Sequence, residues 1–357
     1  MNDHAIGLIV FVSVLILSAN LVLAQEPKPS FLDQLNDQSR ELSKTFGINE
    51  SSNRQVEKYS ELALAFVSAT GSLNPLTART VYRSKKTRTA LSAAAFTELS
   101  SEEKEEFAAT SCNESIYYGH YSTPLAWARP FDRLAQHGFE SFDGKRVLDF
   151  GFGNVSQLRM MASLGADVTG IEIDGSVASA LYVEDSDQGA VKKLSDKVKN
   201  NGSLKLVFGQ WPAEEDVVER VGTGFDLFIS KNVLKYGYIH PEKKAPTSQL
   251  IDLGVTDQQF LKRLMRILKP GGYALIYNIH PPRSKDEEIY KPWAYGETPW
   301  NRELVEKIGF EVINWHTDDS EGIHEFGLAI GWNSSFQTET EFKKNFRAMY
   351  TILHKPR

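Results

Sequence analysis

The chain has 357 residues, with 40 lysines and arginines against 46 aspartates and glutamates, which gives a formal charge of −6. Because the balance is acidic and no stretch interleaves arginines with aromatic residues, nucleic acid is a poor candidate partner. The single cysteine, Cys112, excludes an internal disulfide framework. The length fits one α/β domain together with an extension.

An apolar run over residues 5–24 opens the chain and ends in a small residue, Ala24. This pattern predicts a signal peptide over residues 1–24, cleavage after Ala24, and an exported or periplasmic protein. The run is also long enough to span a bilayer, and basic residues follow it but do not precede it. The alternative is therefore a membrane anchor at residues 5–24 with the rest of the chain in the cytosol.

Residues 25–139 predict a helical extension, because amphipathic helix patterns dominate and strand patterns are scarce. The predicted helices cover residues 31–46, 55–69, 91–97, 101–109 and 123–136. The basic segment between Arg79 and Arg88 is interpreted as a solvated helix face.

Residues 145–173 predict a βαβ unit, with strands at 145–149 and 167–173 and a helix at 155–164. Asp149 ends the first strand, and Gly151 and Gly153 follow it directly. Glycines let the backbone approach a ligand closely, while the second strand brings Glu172 to the same edge of the sheet. The unit therefore predicts a nucleoside cofactor site.

Two cofactors suit this geometry, a dinucleotide and S-adenosylmethionine, and the position of Asp149 distinguishes between them. A dinucleotide places its pyrophosphate at the start of the helix, where a carboxylate immediately before the glycines repels it. S-adenosylmethionine carries a positive sulfur and an ammonium group, so the same carboxylate favours it. Glu172 can then accept hydrogen bonds from both ribose hydroxyls.

The remaining elements continue in α/β order. Thr256 and Gln259 form a capping box that predicts the start of a helix ending before residue 269. Two alternating runs, residues 310–315 and 326–332, predict an antiparallel hairpin at the sheet edge. The other predicted elements are strands at residues 204–208, 225–230 and 273–278 and a C-terminal helix at residues 336–357.

Residues 110–335 resemble the class I S-adenosylmethionine-dependent methyltransferases. The resemblance is carried by Asp149, Gly151 and Gly153, by Glu172, and by segments that follow or open the later strands: Gly209-Gln210, Phe225-Asp226 and Leu268-Lys-Pro-Gly-Gly272. Two positions depart from the family pattern: Gln210 stands where an acid is common, and Val155 where a third glycine is common.

The resemblance implies a Rossmann-like seven-stranded sheet over residues 140–335, mostly parallel with an antiparallel edge hairpin. It also implies S-adenosylmethionine as cofactor and a small-molecule acceptor. The expected cofactor residues are Asp149, Gly151, Gly153, Glu172, Ile173, Gln210, Trp211, Lys231 and Asn232. In this family a helical preface commonly covers the cofactor, which makes Tyr117, Tyr118 and Tyr121 candidate contacts.

Histidines at the carboxyl ends of two strands are the candidate general bases. His240 follows the fourth strand of the predicted sheet and His280 follows the fifth, at the edge where open α/β sheets bind ligands. The group around His316 matches no metal-ligand spacing, so no metal is expected. Two alternatives stay open: a catalytically silent nucleotide-binding protein and an NAD(P)-dependent oxidoreductase. The acceptor and the oligomeric state are not indicated.

Overall fold

The computed structural model describes residues 29–47, 58–87, 89–283 and 290–357. The predicted signal peptide or anchor at residues 1–24 lies outside these ranges, as do residues 55–57 of the second predicted helix and Arg88. Of the helices in the described part of the chain, none combines the length and the apolar character needed to cross a membrane.

The described residues form eleven strands and fourteen α-helices. The strands are β1 (Arg79–Ser84), β2 (Ala90–Ser92), β3 (Phe107–Cys112), β4 (Arg146–Phe150), β5 (Asp167–Glu172), β6 (Gly189–Val191), β7 (Gly202–Phe208), β8 (Phe225–Lys231), β9 (Leu268–His280), β10 (Glu311–Asp318) and β11 (Arg347–His354). The helices are α1 (Phe31–Phe46), α2 (Glu61–Ser68), α3 (Ala93–Thr97), α4 (Ser101–Lys104), α5 (Glu114–Gly119), α6 (Ala128–Ala135), α7 (Ser156–Ser163), α8 (Val177–Leu181), α9 (Glu215–Val221), α10 (Tyr236–Ile239), α11 (Asp257–Ile267), α12 (Arg302–Ile308), α13 (Ser320–Ala329) and α14 (Glu339–Asn345).

An eight-stranded sheet organises the fold, in the order β10-β11-β9-β8-β4-β5-β7-β6. The five strands β9, β8, β4, β5 and β7 are parallel, and β11 and β10 continue the sheet antiparallel. The short β6 adds an antiparallel edge beside β7. The predicted mostly parallel sheet with an antiparallel edge is therefore confirmed, and β6 makes it one strand larger than expected.

Apolar sequence on both faces of the central strands explains why they are parallel and interior. In β4, Val147 packs into one apolar cluster and Leu148 into the other, so the two faces of the sheet carry separate cores. Parallel sheets are stable only when helices cover both faces. The helix α11 begins as predicted, because Thr256 and Gln259 each accept a hydrogen bond from the other's backbone N–H.

The prediction for the C-terminal part was wrong in its strand pairing. Residues 326–332 belong largely to α13, in which Ile323 and Phe326 lie three positions apart and are both buried. The antiparallel partner of β10 is β11, which lies inside the predicted C-terminal helix of residues 336–357. Only α14 in that segment is helical, and the sheet domain extends past residue 335. The reason is that β11 lies between β9 and β10 and is apolar on both faces, with Ala348, Tyr350 and Ile352 buried on one face and Leu353 on the other.

The extension is less helical than predicted. The basic segment that begins at Arg79 forms β1, a strand rather than a helix face, and β1 pairs with β2 and β3 in a small antiparallel sheet. The predicted helix at residues 101–109 ends with α4, and its remainder enters β3. β-Branched and aromatic residues around Val81, the buried position of β1, favour the strand.

The extension and the large sheet share one core. Leu35 in α1, Phe66 in α2 and Phe131 in α6 pack in the same apolar cluster as Val147 of β4. The small sheet joins this core through Val81, Ala90 and Cys112, and the Ala90 N–H donates to the Gly175 carbonyl, in the loop after β5, at 2.7 Å. The helices of the extension thus form part of the domain that contains the large sheet.

Candidate functional site

A glycine loop, residues 151–153, joins β4 to α7 at the carboxyl edge of the sheet. Gly151 and Gly153 have φ values of +72° and +61°, in the left-handed region that glycine adopts without strain. A Cβ atom at Gly151 would lie 2.5 Å from Val233, and one at Gly153 would lie 2.8 Å from the ring of Tyr121. The backbone is therefore closely covered at both positions, and only glycine fits.

Asp149 lies directly before the loop and is fully buried, with 0% of its surface exposed. Gln157 Nε2 donates to its Oδ2 at 3.1 Å, while Oδ1 has no hydrogen-bond partner within the described residues. Burial raises the pKa of this carboxyl to about 7, although Gln157 and the nearby Lys231 act in the opposite direction. A buried oxygen without a donor is costly, so this one is suited to a cationic or hydrogen-bonding ligand.

Glu172 ends β5, the neighbour of β4, and faces the same loop. Its Oε2 accepts from the Gly153 N–H at 3.1 Å, and its Oε1 accepts from the Ile173 N–H at 3.0 Å. Burial raises the pKa of this carboxyl. Each carboxylate oxygen still has a second lone pair for a ligand. Ile173 beside it is 53% exposed, an apolar surface at the rim of the loop.

Lys231 ends β8, the other neighbour of β4. Its Nζ lies 5.6 Å from the centre of the Trp127 ring, a cation–π contact. Burial lowers the pKa of this lysine to about 8, and the charge of Asp149 partly opposes that shift. The predicted cofactor residues Asp149, Gly151, Gly153, Glu172 and Lys231 thus lie around one loop. We call these five residues the cradle.

Gln210 and Trp211 follow β7 but differ in position. Gln210 Nε2 donates to the Asp252 carbonyl at 3.0 Å, which holds the amide at the surface beside the loop before α11. The indole of Trp211 is only 2% exposed and packs edge-on against Phe150 and Phe260. The Trp211 side chain is therefore part of the core, where it packs against Phe150 at the end of β4.

Asn232 has its side chain and backbone engaged between the ends of β8 and β9. Its Oδ1 accepts from the Ile279 N–H at 2.7 Å, and its own N–H donates to Asn278 Oδ1 at 3.1 Å. The Asn278 amide in turn donates to the Leu234 and Gly296 carbonyls. This network fixes the loop that follows Lys231, a role for which the short motif at 231–232 gives no signal.

His240, the first candidate base, caps α10 and lines a cavity of about 910 Å³. Its Nε2 lies 3.0 and 3.1 Å from the two carboxylate oxygens of Asp257, the first residue of α11. Other residues of the 238–258 segment line the same cavity, including Asp252, whose carbonyl holds Gln210. The cavity is therefore next to the loop after β7.

His280, the second candidate base, is packed at the end of β9. Its Nδ1 lies 3.0 Å from the Pro281 carbonyl, and burial lowers its pKa. The imidazole lies so close to Gly296 that a Cβ atom there would be 2.2 Å from its Cδ2. In the described part of the chain, neither candidate histidine makes a hydrogen bond to a residue of the cradle.

A buried lysine, Lys235, lies four positions after the half-buried Lys231 and was not anticipated from the sequence. It is 3% exposed, and its Nζ donates to the Ile279 carbonyl at 2.6 Å. Burial, together with the positive charge of Lys231, lowers its pKa to about 7. No local motif marks it, because its partner is supplied by β9, 44 positions away.

The three candidate tyrosines divide into two roles. Tyr117 and Tyr118 are buried, and their hydroxyls donate to Asp187 and to the Asn74 carbonyl, so they are structural. Tyr121 is 52% exposed and lies over Gly153. Of the three, Tyr121 is thus the one beside the cradle.

Comparisons with known proteins return structural similarity only. No protein-family profile and no curated protein matches the chain. Among solved structures, the chain is similar to phosphoethanolamine N-methyltransferase 2 of Haemonchus contortus, with 19% identity and a TM-score of 0.38 over 68% of this chain and 56% of that one. The matched region thus spans just over half of that enzyme's length.

Two further similarities are of the same order. The [4+2]-cyclase SpnF has 17% identity and a TM-score of 0.37, over 64% of this chain and 80% of that one. The cyclopropane synthase MmaA2 of Mycobacterium tuberculosis has 16% identity and a TM-score of 0.34, over 59% of this chain and 78% of that one. The three named proteins carry out different reactions, and at these scores the similarities assign neither reaction nor substrate to this chain.

Proposed function

We propose that the protein is an S-adenosylmethionine-dependent methyltransferase that acts on a small molecule. One observation carries the proposal: Asp149 is fully buried below the glycine loop and keeps one carboxylate oxygen without a partner in the described structure, while Glu172 lies on the adjacent strand. This is an arrangement for a ligand with a positive charge next to a ribose.

The cradle fits S-adenosylmethionine better than a dinucleotide. A pyrophosphate at the loop would lie against the Asp149 carboxyl, and their like charges would repel. A positively charged ligand gains from the same carboxylate. Glu172 offers two oxygens to the ribose hydroxyls, and the exposed Ile173 beside it offers an apolar surface to the adenine.

The cofactor, when bound, supplies a methyl group already activated by a positive sulfur. The protein then has to hold the acceptor's nucleophile in line with that group and keep competing water away. Gln210, held by the Asp252 carbonyl, marks the adenine side of the cradle. The ends of β8 and β9 form the acceptor side.

Calorimetric titration of the purified protein with S-adenosylmethionine, S-adenosylhomocysteine and NAD tests the cofactor. We expect both sulfur compounds to bind and NAD not to bind; the reverse pattern would identify an oxidoreductase. Incubation with methyl-labelled cofactor and a small-molecule extract of the host then tests the reaction. Label in a low-mass product supports methyl transfer, whereas binding without any labelled product indicates a silent binding protein.

We propose that His240 contributes to acceptor binding from its cavity beside the loop after β7, with its imidazole held by Asp257. His240→Ala is then expected to lower turnover on the labelled acceptor more than it lowers cofactor affinity. Asp257→Asn, which keeps a hydrogen-bonding partner but removes the charge, should show a smaller effect of the same kind. Unchanged turnover in His240→Ala would make this histidine structural.

For the cellular location we propose export with cleavage after Ala24, as the sequence of residues 1–24 suggests. N-terminal sequencing of protein from the native host should then begin at Gln25. An intact Met1 on a membrane-bound protein would instead support the anchored alternative.

A further inference from the structure

Lys231 differs from the other polar side chains of the cradle because its charge lacks a hydrogen-bond acceptor. Within the described residues, the contact recorded for its Nζ is the Trp127 ring, at 5.6 Å. Its neighbour Lys235, by contrast, donates to the Ile279 carbonyl. Lys231 is half-buried, and no hydrogen-bond acceptor from the described part of the chain holds its ammonium, so Nζ can exchange a proton with a bound molecule or with solvent.

The position of Lys231 is set by the parallel pairing of β8 with β4. Ile229 is in register with Asp149, so Lys231 lies two residues further toward the carboxyl edge, where the glycine loop begins. Asn232 and Asn278 fix the backbone directly after it. Lys231 is therefore placed at the junction between the cofactor side and the acceptor side.

The charges that act on Lys231 come from two elements. Asp149 on β4 favours its protonated form, and Lys235 in the following loop is a like charge. Glu172 acts one strand further away, through Asp149. The Trp127 ring on the opposite side is neutral. Burial has the largest effect on the pKa of Lys231, and the charge of Asp149 opposes it, so a cation that neutralises Asp149 removes the contribution that favours the protonated lysine.

We propose that Lys231 is the proton acceptor of the site: it loses its proton when a cationic cofactor takes the place beside Asp149, and it then takes a proton from the acceptor's nucleophile. This proposal rests on the proposed methyl transfer and restricts its acceptor to a hydroxyl or an amine that still carries a proton. It places the base at Lys231, and not at His240 or His280.

The proton balance is complete without another reactant. The Lys231 ammonium releases one proton to solvent as the cofactor binds. The nucleophile's O–H or N–H bond then breaks, and its proton forms a new N–H bond on Lys231 Nζ. The nucleophile bonds to the methyl carbon, and the electron pair of the broken carbon–sulfur bond stays on sulfur. Lys231 is then protonated again, as it was before the cofactor bound, so the cycle closes with one net proton released to solvent per methyl transferred.

The first test observes Lys231 directly and needs no acceptor. Protein labelled with ¹³C and ¹⁵N in lysine is titrated with acid and base by NMR, free and with S-adenosylmethionine, and the Lys231 signal is identified by its loss in Lys231→Gln. We expect its pKa to fall by one unit or more in the complex. An unchanged or raised value with bound cofactor overturns the inference but leaves the methyltransferase proposal intact. Failure of the cofactor to bind at all overturns the methyltransferase proposal, and the inference with it.

The second test uses the labelled acceptor. Lys231→Met should lower turnover by about 10²- to 10⁴-fold, the usual contribution of a general base, while cofactor affinity changes far less. Added methylamine should restore part of the turnover in Lys231→Met, which a merely structural lysine would not allow. Lys262→Met, an exposed position on α11, is the matched control and should be unaffected by either change. Full turnover in a folded Lys231→Met protein overturns the inference.

Discussion

Glu172 both fixes the glycine loop and offers hydrogen-bond acceptors to a ligand. It accepts the Gly153 N–H and so fixes the glycine loop, and its remaining lone pairs face the site. Its burial raises its pKa, which means that the free protein holds this carboxyl at some cost until a donor arrives. A ribose supplies two such donors.

Glu172→Ala should therefore weaken S-adenosylmethionine binding by about 2 kcal/mol, from two charge-assisted hydrogen bonds lost together. This corresponds to roughly a 30-fold higher Kd, measurable by calorimetry. Glu219→Ala, an exposed glutamate on α9, removes the same charge away from the cradle and should change nothing. Equal affinity for the Glu172→Ala and control proteins would remove Glu172 from the ribose site.

Substitutions at Gly153 and Gly222 distinguish the cost of backbone strain from the cost of a steric clash. Gly153 and Gly222 both have positive φ, but a Cβ at Gly222 meets no atom within 4 Å. Gly222→Ala should lower the free energy of unfolding by about 1 to 3 kcal/mol from strain alone, because φ +78° with ψ −156° is a conformation that essentially only glycine adopts. Gly153→Ala should cost as much, displace Tyr121, and also weaken the cofactor. Urea unfolding and calorimetry measure the two effects; equal cofactor affinity in both variants would contradict the crowding at Gly153.

The residues of the cradle could be predicted because their spacing along the chain carries the information. Asp149, Gly151 and Gly153 are nearly consecutive, and Glu172 ends the next strand. Lys235 could not be predicted, and neither could the role of Asn278, because each depends on partners from another strand or a distant loop. Trp211 was predicted as a cofactor residue, but its side chain is buried in the core, which its position after β7 does not indicate.

At the level of elements, β11 extends the parallel strands on the β9 side of the sheet and pairs with β10 at its edge. It lies between β9 and β10 and pairs with both in antiparallel register. Residues 326–332 alternate apolar and small residues and were therefore predicted as a strand, but an alternating run this short does not exclude a helix, and four of these residues lie in α13. In the structure, those residues instead cover the sheet as part of α13.

Ile352 in β11 is fully buried, so Ile352→Ala should lower the free energy of unfolding by about 3 kcal/mol. Arg347→Ala, at an exposed position of the same strand, should change it by less than about 0.5 kcal/mol. Chemical denaturation of both variants measures the difference. Similar values for the two would contradict the placement of β11 inside the sheet.

For the molecule as a whole, buried ion pairs attach the extension to the sheet domain. Arg79 of β1 bonds to Asp187 at 2.7 Å, and Arg129 of α6 bonds to Asp319, before α13, at 2.7 Å. Both acids and Arg129 are nearly inaccessible to solvent. Removing one member of such a pair leaves an uncompensated buried charge, so these contacts constrain the arrangement more than they add stability.

Lys235 gives the stability of the whole protein a distinct pH dependence. Burial lowers its pKa to about 7 in the folded protein, against 10.5 for an unperturbed lysine, so between these pH values the unfolded chain holds a proton that the folded chain lacks. Stability should therefore rise with pH across that window. Lys235→Met should flatten this rise because it removes the titrating amine. A smaller rise should remain, since Lys231, whose pKa is also lowered, is retained. Denaturation at pH 7 and pH 9.5 measures both slopes; equal slopes would contradict the shifted pKa.

The bond from the Ala90 N–H to the Gly175 carbonyl connects the small sheet to the loop that follows Glu172 and Ile173. A ligand that orders this loop must also slow the transient opening of β2. Amide hydrogen exchange at Ala90 and in β1 is therefore expected to slow when the cradle is filled, although neither strand contributes a side chain to it. The small sheet thus provides a reporter of occupancy that can be followed without knowing the acceptor.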